Sequence, residues 1–431
     1  MAYAPTLASL RAHQVPEWYH DAKLGIFIHW SVSSVPAFAP RGVGIDAIFA
    51  GESDQRESPY SEWYWNSLKL EGSAVQRHHR ENYGDQAYEA FAATYREGLE
   101  QWQPEAWARA FKAAGAGYVV LVTKHHDGFC LWPSEVPHPD PRYRGWHTGR
   151  DVVGELAAAV RAQGLRFGVY YSGGLDWSFD DRPVRGLVDV LAGMPGGDYP
   201  EYAAAQVREL IERYRPDVLW NDISWPQPAE ELWKLLADYY NAVPEGVIND
   251  RWLARSWLIP LLRLGPINRL CEFLVKRHLA RSGGMIALPT PPVCDYRTPE
   301  YASFDEIQQR KWECVRGIDK SFGYNRASLP EDFLSKPDLI HSFVDIVSKN
   351  GNLLLNVGPR GVDAQIPELQ LERLRWLGEL MAENGHALIG TRPWERAEAL
   401  SAEGLPVRFT QKDGVVYRIV LGEPVRVEVQ R

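Results

Sequence analysis

Polar residues stand at the ends of several apolar runs in this sequence. His29 closes LGIFIH, His125 and His126 follow YVVLVTK, Tyr171 closes FGVYY and Asp222 closes DVLWND. A polar or charged group beside a buried run costs desolvation unless it has a partner or a purpose. A lone aspartate there can be a helix N-cap, and a lone histidine can be a satisfied core residue. Several such ends on one rim point instead to a polar pocket. The chemistry they suit is cleavage of a glycosidic bond, which needs two carboxyl groups flanking it. In a retaining mechanism these stand about 5–5.5 Å apart. Asp222 is one candidate, and Glu62, Glu300 and Glu313 are candidates for its partner. A metal-dependent hydrolase built on His29, His125, His126 and Asp127 is the competing chemistry. Adjacent histidines on a strand face opposite sides, which works against shared ligation, so no metal is expected. A non-catalytic carbohydrate-binding protein is a third reading.

Such residues need strands to present them. LGIFIHW (24–30), GYVVLVT (117–123), RFGVYYS (166–172), DVLWND (217–222), GVIND (246–250) and NLLLNVG (352–358) read as buried parallel strands. They are short and nearly continuous in apolar residues, as strands with both faces covered are. DVVGELAAAVRAQG (151–164) and YAAAQVRELIERYRP (202–216) have helical spacing and stop at Gly and Pro. This alternation predicts an α/β protein with a (β/α)8-like barrel over residues 1–388. Long loops after the first strand (31–76) and the fifth (251–290) fall at the end of a barrel where sites lie. The tail, 389–431, holds GTRPWERAE, VRFTQKDGVVYRIVL and PVRVEVQ, strand patterns around the turn signal KDG. It reads as a short C-terminal β unit.

Composition narrows the classes. The formal net charge of -9 argues against nucleic acid as a partner. Cys130, Cys271, Cys294 and Cys314 form no CxxC pair and no disulfide framework. The first residues show no basic segment followed by an apolar one, and no apolar run approaches the ~20 residues of a membrane span. A reduced, cytoplasmic protein without a transmembrane segment is expected. The 17 Trp and 20 Tyr exceed what most cores use and are compatible with aromatic faces against a sugar.

Beyond these readings, WYHDAKLGIFIHWSVSSVPAF (18–38), SEWYWN (61–66), KHHDGFCLWPS (124–134) and DVLWNDISWP (217–226) resemble the family 29 α-L-fucosidases. So do RDVVGELAAAVRAQGLRFGVYYS (150–172), TPEY (298–301), KWEC (311–314), SFGYN (321–325) and NGNLLLNVGP (350–359). The resemblance implies a (β/α)8-like catalytic domain with a C-terminal β-sandwich, a retaining mechanism, and neither metal nor cofactor. It implies Asp222 as nucleophile and Glu300, in TPEY, as acid/base, with Glu313 in KWEC as the alternative. The sugar-binding residues it implies are His29, Glu62, Trp63, His125, His126, Tyr171 (or its neighbour Tyr170), Trp220 and Arg251. Neutral imidazoles and a carboxylate can bond vicinal hydroxyls, and aromatic walls can hold the C5 methyl of fucose. A fucosylated oligosaccharide or glycoconjugate is the implied substrate.

The sequence departs from that family pattern in three places. Cys314 follows Glu313 directly, and the tail after 395 is too short for a full sandwich, so the β domain is expected to be reduced. Residues 253–290 form an insertion between Arg251 and TPEY. It interleaves Leu258, Leu261, Leu262, Leu264, Ile267, Leu270, Phe273 and Leu274 with Arg255, Arg263, Arg269, Lys276, Arg277 and Arg281, against a single acid, Glu272. Pro260 and Pro266 are expected to break any long helix there. A cover over the pocket or a contact in a homo-oligomer is favoured over binding at a membrane surface.

Overall fold

The side chains of seven short strands alternate between two environments. The strands are β1 (Leu24–Ile28), β2 (Tyr118–Lys124), β3 (Arg166–Ser172), β4 (Val218–Asp222), β5 (Val247–Ile248), β6 (Trp312–Gly317) and β7 (Gly351–Val357). They pair in parallel in the order β5-β4-β3-β2-β1-β7-β6. Phe27, Val120, Tyr170, Trp220, Val315 and Leu354 gather in one buried cluster on the inside of the curled sheet. Their neighbours Ile26, Leu121, Val169, Leu219, Cys314 and Leu355 pack outward against the helices. Interior space is tight. A Cβ at Gly25 would lie 2.4 Å from the Tyr118 ring, so only glycine admits that tyrosine to the interior. This is a computed structural model, and it describes residues 2–44, 47–48, 53–282 and 290–430, without side chains for 278–282.

The gap between β5 and β6 is closed by an irregular strip rather than by an eighth strand. Asp295 N–H donates to the Ile248 carbonyl (3.0 Å). Further along, Arg297 and Tyr301 donate to Lys311 and Val315, while Glu313 and Val315 donate to Arg297 and Pro299. The strip 294–301 is thus zipped to β6, and Glu300 sits opposite Val315.

The helices form where apolar spacing placed them. The first, Val152–Ala162, starts where the Asp151 side chain accepts the Gly154 N–H, 2.9 Å. The second, Tyr199–Tyr214, ends as Arg215 turns left-handed ahead of Pro216. The insertion differs from expectation. It contains a 3-10 turn, Ile259–Arg263, and an 18-residue helix, Gly265–Ser282. Pro260 and Pro266 stand at the second positions of these elements, where a proline lacks nothing, because the N–H it removes has no helical partner. They start the helices instead of breaking them. Residues 283–289 of the insertion lie outside the described residues.

The tail forms an antiparallel sheet, β8 (Arg392–Leu400), β9 (Pro406–Lys412), β10 (Val415–Val420) and β11 (Arg426–Gln430). Asp413 and Gly414, both at positive φ, make the two-residue turn between β9 and β10 that KDG signals. Arg408 Nε bonds Asp345 (2.5 Å) on helix Lys336–Ser348 and ties this sheet to the barrel. No helix among the described residues is long and apolar enough to cross a membrane.

Candidate active site

The C-terminal ends of the strands converge on Asp222. Its Oδ2 accepts from the Tyr170 hydroxyl at 2.7 Å. Its Oδ1 accepts from Arg251 Nη1 at 2.8 Å and from the Ile223 N–H at 2.9 Å. Every bond is donated to the carboxyl, a pattern that an ionised, acceptor-only group satisfies. The chain then turns sharply, with Ile223 at φ 64 and Ser224 at φ 112. A β-branched residue in that region is costly, and such strain gathers at functional sites. Arg251 follows β5 and lies 4.7 Å over the Trp220 ring. Its Nη2 reaches Glu300 Oε1 on the closing strip, 2.5 Å away. One guanidinium fork therefore joins both carboxyls.

Three imidazoles line the opposite side. His29 Nδ1–H donates to Asn356 Oδ1 at 2.6 Å, and the Asn356 amide, held by the Phe322 carbonyl, fixes that direction. His126 Nδ1–H donates to Ser172 Oγ at 2.6 Å, because that hydroxyl gives its own proton to the Leu175 carbonyl. In both rings Nε2 is left as an acceptor, and that of His126 lies 3.9 Å from Asp222. Burial lowers the His29 pKa to about 4 and holds His125 and His126 well below the usual histidine range. All three are neutral near pH 7 and suited to receive sugar hydroxyl protons.

Glu62 and Trp63 come from the loop after β1. Glu62 Oε2 accepts the Gly323 N–H (2.8 Å) and Ser321 Oγ (3.2 Å). Trp63 meets His126 edge-on, with ring centroids 5.1 Å apart. Burial pushes the Glu62 carboxyl from 4.5 up to about 7, against the pull of those donors. Between these two values the folded chain holds a proton that the unfolded chain has released. The group's contribution to stability is therefore complete below the ordinary glutamate range and is lost as pH rises through about 7. The loss is on the order of 1–3 kcal/mol. Glu62→Gln cannot titrate, so its Tm is expected to gain on wild type as buffer moves from pH 5 to 8. Parallel Tm profiles in scanning calorimetry would count against a raised Glu62.

Three of the candidate residues sit elsewhere. Tyr171 is not in the pocket: strand alternation turns it outward, where its hydroxyl donates to Gln206 (2.9 Å) and Lys124 lies over its ring. Tyr170, the alternative at that point, faces Asp222. Glu313, the fallback acid, lies fully buried inside the barrel, accepting from Tyr19 (2.8 Å), Tyr118 and Trp220 Nε1 (3.3 Å). Asp127 also points away, bonded by Tyr88 (2.8 Å) and Ser31 (3.1 Å). Sequence reasoning missed Asn356, Ser172 and Ser321, which orient His29, His126 and Glu62. It also missed Phe27 and Phe322, whose rings pack against His29, and Tyr60, which packs on Phe322. The inward parity of β1 would have flagged Phe27 together with His29.

A family model described as alpha-L-fucosidase matches residues 1–258 and 283–386 and passes over the inserted helix. The tissue α-L-fucosidase of Rattus norvegicus is 32% identical over 433 residues, spanning 98% of this chain and 79% of its own. The α-L-fucosidase of Branchiostoma floridae is 33% identical, with 98% and 82% covered. Among solved structures, Thermotoga maritima α-fucosidase in complex with fucose superposes with a TM-score of 0.80 at 42% identity, covering 99% of this chain and 88% of that one. A Thermotoga maritima α-L-fucosynthase in complex with α-L-Fuc-(1-2)-β-L-Fuc-N3 gives 0.82 at 44% identity, with the same shares covered. Agreement at this identity runs through the barrel and into the C-terminal sheet, well beyond a likeness of fold. The chain belongs to the α-L-fucosidases, a family of glycoside hydrolases.

Proposed function

We propose that this fucosidase is a retaining exo-glycosidase acting on terminal α-L-fucosyl linkages of oligosaccharides or glycoconjugates. Asp222 is the nucleophile and Glu300 the acid and then the base. The observation that carries this reading is the single Arg251 fork holding both carboxyls, which keeps them the near neighbours that a retaining pair must be. Asp222 attacks the anomeric carbon as the glycosidic bond breaks, and Glu300, which takes up a proton from solvent on leaving Arg251, gives that proton to the departing oxygen. The fucosyl–Asp222 ester is then cleaved by water whose proton passes to Glu300. His29, His125, His126 and Glu62 hold the hydroxyls meanwhile, and Phe27, Tyr60 and Phe322 present an apolar wall to the methyl group. The similar fucosynthase bears an Asp-to-Gly change in its name and holds a sugar with a β-azide, which fits a lost carboxylate nucleophile.

The test is hydrolysis of p-nitrophenyl α-L-fucoside followed by NMR in the first seconds. α-L-Fucose is expected first, before mutarotation. The β anomer as first product would overturn the retaining mechanism.

A further inference from the structure

The inserted helix is mounted with its polar side inward. Glu272 accepts the N–H groups of Leu187 (3.3 Å) and Val188 (2.9 Å), capping the short helix Leu187–Ala192. Asn268 Nδ2 donates to Asp189 Oδ1 on the same helix, 2.8 Å away. The opposite side, which carries Leu270, Phe273 and Leu274, is exposed. The preceding turn adds Trp257, 81% exposed, with Leu258, Leu261 and Leu264 also exposed. Thus seven of the eleven exposed large hydrophobic side chains among the described residues fall between Trp257 and Leu274. That concentration marks an interaction surface.

Charge selects the partner. Arg269, Lys276 and Arg277 stand exposed among or beside these apolar groups. The one acid of the helix, Glu272, is turned into the protein, with Lys276 Nζ 3.7 Å from it. A cover over the enzyme's own pocket would turn the leucines inward, and here they point out. A second copy docking the same patch about a two-fold axis would bring Arg269 and Arg277 towards their own copies, and the patch carries no outward acid to oppose them. An anionic lipid surface supplies the missing charge, accepts Trp, Phe and Leu at its acyl boundary, and lets Lys and Arg reach the headgroups. The helix and turn lie between β5 and the strip bearing Glu300, at the end of the barrel that opens the pocket.

We propose that the segment 257–277 is a docking surface for anionic bilayers. The intact enzyme is expected to co-sediment with vesicles of phosphatidylcholine and phosphatidylglycerol, and to ignore vesicles of phosphatidylcholine alone. Binding should weaken with added salt. Both Arg269→Gln/Lys276→Gln/Arg277→Gln and Leu270→Ser/Phe273→Ser/Leu274→Ser should weaken it at least about tenfold. These side chains are already in solvent, so turnover of a soluble aryl fucoside should be unchanged, which also reports an intact fold. Equal binding to both vesicle types, or binding untouched by either triple variant, would overturn the proposal. So would an enzyme that ignores vesicles and is a dimer in light scattering that the Leu270→Ser set splits, since the partner would then be a second copy.

Discussion

Replacing Asp222 by glycine is expected to lower turnover of aryl α-L-fucosides by about four orders of magnitude or more, while fucose still binds. In the proposed mechanism the carboxyl is the group aimed at the anomeric carbon, whereas the hydroxyl grip rests on His29, His125, His126 and Glu62; Asn356 supports His29, Ser172 supports His126, and Ser321 and Gly323 support Glu62. The change leaves the Tyr170 hydroxyl and Arg251 Nη1 pointing into the space the carboxylate filled. Two such donors around a small void suit a small anion. Azide placed there should attack from the face that Asp222 used and restore part of the rate, and the product should be the β-fucosyl azide. Calorimetric titration with fucose separates lost chemistry from lost binding, and NMR identifies the azide product. Ordinary turnover in the glycine variant would remove Asp222 from the mechanism.

Glu300→Ala should show a dependence on the leaving group. A p-nitrophenolate departs without help, so the first step on that substrate should change little. A sugar alkoxide needs a proton, and cleavage of fucosylated oligosaccharides should fall about 10²–10⁴-fold. Glu313→Gln is the informative companion, because Glu313 is sealed under Trp220 with three donors on its carboxyl. It should show no such dependence. If the dependence follows Glu313 and spares Glu300, the acid role passes to the buried residue and some opening of the barrel floor must be found.

The barrel was legible wherever apolar runs were unbroken, as in LGIFI, YVVLV and NLLLNV. β6 was not, because Glu313 and Arg316 interrupt it, and its inward glutamate is stabilised by two tyrosines and a tryptophan from three distant points of the chain. The closing strip gave no signal either: it contains Pro299 and Arg297 and has no apolar period, and its hydrogen bonds exist only once β6 is in place. Resemblance located Glu300, but only the fold shows that it shares Arg251 with Asp222. Tyr171 stands last in its apolar run, which favours it over Tyr170 in the sequence alone. Alternation counted from Trp220 through the β3–β4 register, Tyr170 opposite Trp220, reverses that preference. In sequence alone the prolines of the insertion look like breakers, because their place in a helix is open, whereas at a first turn the same residue is permissive.

The two carboxyls rest on parts of unequal stiffness. Asp222 ends a strand paired on both sides, so any displacement must drag the sheet. Glu300 rides on an irregular strip tied to β5 by one backbone bond, Asp295 to Ile248, and to β6 by four, and the chain ahead of it can lengthen by a whole helix without disturbing β4 or β5. In the proposed mechanism the half of the site that meets the invariant sugar is thereby the more firmly anchored, and the half that meets the variable aglycone rests on the less regular part of the barrel wall. New linkage preferences can be acquired in such a molecule by rewriting the connection between Arg251 and Thr298, at little risk to the bond-making machinery.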